Sequence, residues 1–263
     1  MKKALLVISF GTSYPDTCEK NIVACEQRLA AAFPDRTLFR AFTSEMIIRK
    51  LAKRDGLHIC NPQQALAELA AASYQDVLIQ SLHVINGDEF EKIVTQVDAF
   101  RARFLKIGIG LPLLSSHDDF EQLIDAMQAQ APQLASDERV VFMGHGATHH
   151  AFAAYACLDH MLMTRNLPLL VGAVESYPEI DTVVARLKRD GVRKVHLMPL
   201  MLVAGDHAIN DMASEEEDSW KTQLANAGIT AVPWLQGLGE NPLVQQMFVE
   251  HLQAVLQQQE EAA

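Results

Sequence analysis

No apolar run in this 263-residue chain approaches the roughly 20 residues that a membrane span requires. Positive charge is also scarce. Lys and Arg number 22 against 33 Asp and Glu, for a net charge of −11. Such a chain does not attract a phosphate backbone, which argues against general nucleic-acid binding. A CxxC pair is missing. Cys18, Cys25, Cys60 and Cys157 stand apart, and a chain of this length does not need disulfide staples, so they read as reduced thiols of a cytoplasmic protein. There is no Walker loop, no GxGxxG and no HExxH, which removes the common sequence warrants for nucleotide binding and zinc proteolysis. Disorder is excluded by a composition of 49% hydrophobic and 21% charged residues, close to the globular average of about 45–50% and 25%. The start, Met1-Lys2-Lys3 before Ala4-Leu5-Leu6-Val7-Ile8, imitates a signal peptide, but its apolar run is short and no small-x-small cleavage site follows. It reads as a buried strand.

What is present is unevenly spread. Residues 1–131 hold 14 basic and 16 acidic groups, a net of −2, whereas residues 132–263 hold 8 and 17, a net of −9. Three histidines (His58, His83, His117) lie in the first part and seven in the second. Short apolar runs alternate with longer amphipathic ones. Strands are expected at 4–10, 37–42, 77–82 and 106–109, with helices at 18–33, 44–54, 62–73, 88–104 and 118–130. The pattern restarts with strands at 139–143, 169–174, 194–199 and 229–232 and helices at 149–164, 179–190, a Ser214-capped stretch to 227, and 242–257. This alternation specifies an α/β fold with parallel sheets. In particular it predicts two similar doubly wound domains, 1–132 and 133–263.

The restart is an internal repeat at three strand ends. Ile8-Ser9-Phe10-Gly11 matches Met143-Gly144-His145-Gly146. Ala41-Phe42-Thr43-Ser44 matches Ala173-Val174-Glu175-Ser176. Val84-Ile85-Asn86-Gly87-Asp88-Glu89 matches Leu202-Val203-Ala204-Gly205-Asp206-His207. Ligands of parallel α/β sheets bind beyond the carboxyl ends of the strands, so the repeat marks functional positions. The second half places His145, Glu175 and His207 there; the first half places Phe10, Thr43 and Glu89. Two imidazoles and a carboxylate suit a divalent first-row ion and leave positions open for exchange. Imidazole also accepts a proton near neutral pH. The competing reading makes these residues ordinary loop polars, which is the better account of any one of them alone.

Other features carry less. His149 and His150 follow Gly146-Ala147-Thr148 and read as helix-start polar groups or supports of the site. His160 and His196 read as structural, and His83 is placed to line the cleft. His58, His117 and His251 show no pattern. The turn Phe10-Gly11-Thr12-Ser13 can present backbone N–H groups to a carboxylate. Glu215-Glu216-Glu217-Asp218 reads as the acidic first turn of a helix capped by Ser214, with metal entry as the alternative.

The stretches Leu6-Val7-Ile8-Ser9-Phe10-Gly11-Thr12-Ser13, Met143-Gly144-His145-Gly146, Val174-Glu175-Ser176-Tyr177-Pro178 and, above all, 199–212 (PLMLVAGDHAINDM) resemble the class II tetrapyrrole chelatases over essentially the whole chain. The likeness is greatest to those that insert Co²⁺ into sirohydrochlorin (or precorrin-2) in anaerobic cobalamin (vitamin B12) biosynthesis. The resemblance implies a cytoplasmic lyase of two similar α/β domains with the active-site cleft between them. No cofactor is permanently bound, and Co²⁺ and the tetrapyrrole are the substrates. It implies His145 as metal ligand and proton acceptor, Glu175 as its acidic partner and His207 as the second histidine. Phe10, Thr12, Ser13 and Glu89 are the candidate substrate contacts, and the first half is expected to bind the acetate and propionate groups. Nucleic acid and membrane are not expected partners, and a homo-oligomer is compatible with the sequence. A non-enzymatic metal or tetrapyrrole carrier, Fe²⁺ insertion and a metal-dependent hydrolase are the alternatives.

Overall fold

The computed structural model describes residues 1–261. The first apolar run forms β1 (Lys2–Ser9). Ala4 through Ile8 are all 1% exposed or less, as a continuous apolar run predicts for a strand covered on both faces. The chain continues through α1 (Pro15–Thr17), a π-helical turn (Cys18–Val23) and α2 (Ala24–Ala32) to β2 (Thr37–Phe42), then α3 (Glu45–Asp55), α4 (Pro62–Ala71) and β3 (Tyr74–Ser81), and α5 (Asp88–Phe100) and β4 (Lys106–Gly110). The four strands pair in parallel in the order β2-β1-β3-β4. Ala4, Leu6 and Ile8 pack with Leu66, Leu69, Ile93 and Val97 from α4 and α5.

After α6 (His117–Gln130) the plan repeats: β5 (Glu138–Gly144), α7 (Ala153–Thr164), β6 (Leu169–Ala173), α8 (Ile180–Arg189), β7 (Lys194–Pro199), α9 (Trp220–Asn226) and β8 (Thr230–Pro233). The sheet order is β6-β5-β7-β8, again parallel, and Val141, Met143, Leu197, Val183, Leu187, Trp220 and Leu224 share a core. Each sheet reverses direction of winding beside its first strand, and there the strand ends open a crevice.

Backbone hydrogen bonds fix the correspondence of the two sheets. Leu82 N–H donates to Ile8 O and Leu200 N–H to Met143 O; Thr43 N–H donates to Ser9 O and Val174 N–H to Gly144 O. Gly11 and Gly146 both adopt positive φ, +95° and +89°. The repeat is therefore real in the backbone. Its register corrects one pairing: Ser44, whose amide bonds Phe10 O as that of Glu175 bonds His145 O, is the counterpart of Glu175, and Thr43 is one residue out.

Two further expectations are corrected. The compact units are Met1–Asp119 together with the chain from Pro242, and Phe120–Asn241. They differ from a single cut at 132/133. The cause is α10 (Pro242–Glu261), which packs on α2, β4 and β3 of the first unit. Gly108 and Gly110 make room for it: a Cβ on Gly108 would stand 2.4 Å from Val255. The Ser214-capped helix does not form either. The Ser214 hydroxyl donates to Asn210 O; the helix starts at Trp220, capped by Ser219, whose Oγ accepts from Thr222 N–H. Trp220 is 3% exposed, and seating it in the core sets the helix start. Glu215 through Asp218 lie in the turn before it.

Candidate functional site

The three second-half residues all follow strands of one sheet. His145 comes directly after β5 and Glu175 two residues after β6, and His207 stands at the start of the helical turn beyond β7. The glycine between them is required. A Cβ on Gly146 would lie 2.9 Å from the amide nitrogens of Glu175 and Ser176, so only glycine lets the β5 turn press against the β6 turn. Ser176 Oγ accepts from Ala147 N–H at 3.3 Å and ties the same two turns. Behind them Gly144 faces the Tyr155 ring, and burial pushes the Tyr155 hydroxyl up to about 12, so it stays a neutral wall.

The side chains approach pairwise. The His145 and His207 rings meet edge to face, with centroids 4.4 Å apart. His145 Nδ1 lies 3.8 Å from Glu175 Oε2 and 3.1 Å from Gly146 O. A carbonyl oxygen only accepts, so Nδ1 carries a proton and Nε2 is the ring nitrogen that faces away from the turn's carbonyl. Among the described residues, no three His, Cys, Asp or Glu side chains close into a ready-made metal cluster. The trio is gathered and half exposed, not clamped.

Asp211 also reaches this trio, a contact that the sequence reading did not anticipate. Its Oδ2 sits 2.5 Å from His207 Nδ1. The available signal was the i,i+4 spacing of His207 and Asp211 across one helical turn.

The first-unit candidates are placed differently. Phe10 is 46% exposed at the end of β1, whereas Thr12 and Ser13 are buried. The Thr12 hydroxyl accepts from Tyr14 N–H within the turn, and the Ser13 backbone carbonyl accepts from Arg54 of α3. The Glu89 carboxylate, in the first turn of α5, accepts from Lys92 at 2.7 Å. Burial pushes that carboxyl up, but the hydrogen bond and charge of Lys92 help to outweigh it and hold the group below the usual carboxylate range.

The remaining histidines sort by contact. Burial pushes His83 down to about 4, so it is neutral at pH 7. Its Nδ1 meets Ser81 Oγ at 2.9 Å, and its Nε2 is enclosed without a partner. His149 accepts from Ala151 N–H at a helix start, as its sequence position suggests. His160 is exposed on α7. His196 is a core residue held between Glu138 and Trp234 Nε1.

Comparison with known proteins agrees with this architecture. The sirohydrochlorin chelatase SirB from Bacillus subtilis, solved in complex with cobalt, superimposes with a TM-score of 0.64 at 14% identity, covering 99% of this chain and 98% of that one. A multi-domain protein from Deinococcus radiodurans with structural similarity to chelatases gives 0.60 at 12% identity, over 97% of this chain and 54% of that one. The fold is thus the two-sheet α/β fold of the chelatases. Sequence takes the assignment further. The chain matches the cobalt chelatase (CbiK) family over residues 3–257. It is 66% identical to the sirohydrochlorin cobaltochelatase of Salmonella typhimurium across the full length of both. It is 32% identical to the sirohydrochlorin cobaltochelatase CbiKC of Nitratidesulfovibrio vulgaris, over 97% of this chain and 91% of that one. The chain belongs to the cobalt chelatase (CbiK) family.

Proposed function

We propose that this chain inserts Co²⁺ into sirohydrochlorin, using His145, Glu175 and His207. The observation that carries the site is their common placement at the strand ends of one sheet, with the two imidazoles in edge-to-face contact. The reaction exchanges one divalent ion for two pyrrole N–H protons, so the protein must hold the ion loosely and take up protons. Two imidazoles and a carboxylate bind such an ion with coordination positions left open. A half-exposed, unclamped set favours release over retention.

His145 supplies the second requirement. With Nδ1–H donated to Gly146 O, its Nε2 lone pair holds the ion first. As the ion passes to the ring nitrogens, the same lone pair is freed to accept one pyrrole proton, and His207, released from the ion in the same step, accepts the other. Glu175, 3.8 Å from Nδ1, stabilises the imidazolium that results. Phe10, Thr12, Ser13 and Glu89 are the proposed tetrapyrrole contacts. Because the Thr12 and Ser13 side chains are buried, their proposed contact is through the backbone of the turn that presents Phe10. Sirohydrochlorin is the proposed substrate in preference to precorrin-2, and Co²⁺ the metal in preference to Fe²⁺, in line with the full-length relative of 66% identity.

The test mixes purified protein, Co²⁺ and sirohydrochlorin and follows the visible spectrum. Acceleration well above the metal-only rate is expected; a rate equal to that background overturns the proposal.

A further inference from the structure

We propose that Asp211 is a positioning residue that fixes the tautomer and the aim of His207. The inference rests on the reading of His207 as a site residue. Asp211 Oδ2 and His207 Nδ1 are 2.5 Å apart, a short charge-assisted contact. A carboxylate only accepts, so Nδ1 carries a proton and Nε2 is the nitrogen that can face the metal or a pyrrole proton. His145 reaches the same state by another route, through the carbonyl of Gly146. Both imidazoles therefore present Nε2, one set by the backbone and one by a side chain.

The turn that carries Asp211 is anchored. His207 has helical backbone angles and leads into the π-helical turn Ala208–Met212. Ala208 and Met212 are fully buried, Ile209 N–H bonds Gly205 O, and Ser214 Oγ donates to Asn210 O. Held in this way, Asp211 cannot follow a ring that rotates; the ring is held to the carboxylate. The fold itself does not demand an acid at this position. The repeat that sets Glu89 against His207 sets Ile93 against Asp211, and Ile93 is a buried core residue. Asp211 is 40% exposed, so replacing it leaves the core intact. A carboxylate on the far nitrogen of a ligating imidazole also raises its basicity, and losing such a partner typically costs about 10–100-fold in metal affinity or activity.

The experiment compares the unaltered enzyme with Asp211→Ala, Asp211→Glu and His207→Ala in the cobalt-insertion assay, with the apparent KM for Co²⁺ and kcat measured separately. Imidazole ¹⁵N spectra of the metal-free proteins report the tautomer of His207. In Asp211→Ala the apparent KM for Co²⁺ is expected to rise about 10–100-fold. The His207 signal should move from a single Nδ1–H tautomer to a mixture, and the thermal midpoint should stay unchanged. Asp211→Glu should recover part of the affinity. An Asp211→Ala enzyme with unchanged KM and an unchanged tautomer overturns the inference. If His207→Ala raises the KM and Asp211→Ala does not, the site reading stands and the positioning role falls. If His207→Ala leaves the KM unchanged, both fall.

Discussion

At the scale of single residues, the candidate site was legible because its members differ in type from their repeat partners. An imidazole where the first half has Phe10 or Glu89 cannot be explained by the fold that both halves share. Positions within two residues of a strand end are fixed by the strand, so sequence alone placed His145 and Glu175. Asp211 was not legible, because its role depends on a turn closing around His207 rather than on a strand end. That Thr12 and Ser13 are buried was not legible, because polarity does not report burial in a turn. The sharpest expectation concerns His145. His145→Ala removes the proposed proton acceptor together with one ligand, and a general base alone is worth roughly 10²–10⁴-fold in rate. Initial rates of cobalt insertion should fall by at least that range, with the unfolding midpoint little changed because the side chain is about two-fifths exposed.

At the scale of elements, strands and helices were legible from periodicity, and the contacts that bind distant segments were not. His251 carried no pattern, yet it fastens α10 to the start of α6. Its Nε2 lies 2.9 Å from Asp119 Oδ1 and its Nδ1 2.9 Å from Leu111 O. Both partners accept, so both ring nitrogens donate and the ring is an imidazolium. Burial pushes His251 down, but the Asp119 hydrogen bond and charge outweigh it and raise the group above its ordinary value. Asp119 is held below the usual carboxylate range: the hydrogen bond and charge of His251 outweigh burial, which acts in the opposite direction. The signs define a window. The His251 contribution is complete below about pH 6.5 and is lost as pH rises through the raised value. The Asp119 contribution is complete above about pH 3.9 and is lost as pH falls through the lowered one. The stability difference between the unaltered chain and His251→Ala should therefore peak between about pH 4 and 6.5, at about 2 kcal/mol for hydrogen bonds to charged groups, and shrink by pH 9. Urea midpoints across that range decide it; a difference that does not vary with pH would refute the assignment. The same helix depends on the glycines of β4. Gly108→Ala should cost about 1–3 kcal/mol by overpacking, read as a lower thermal midpoint, because its Cβ would meet both Val255 and Gln259.

At the scale of the whole molecule, the doubled architecture was legible because one sheet order occurs twice, as β2-β1-β3-β4 and β6-β5-β7-β8. The division of the chain was not, since a helix that continues a sequence pattern can pack against either sheet, and only tertiary contacts choose. Thiol chemistry samples the whole molecule at once. None of the four cysteines forms a disulfide, Cys157 is exposed and Cys25 buried, and burial pushes the Cys25 thiol up to about 12. Since the thiolate is the reactive form, a chromogenic disulfide reagent should label Cys157 first and Cys25 only on unfolding; early labelling of Cys25 would contradict the structure.

The return of α10 to the first unit also bears on synthesis. Domains generally fold as units in the order in which they leave the ribosome. Here the first-made segment lacks the helix that covers β4 until the last residues appear, whereas Phe120–Asn241 is uninterrupted. The order of completion is thus reversed relative to the order of translation. Chains arrested just after Asn241 has cleared the exit tunnel should resist protease through the later segment and be cut in the earlier one.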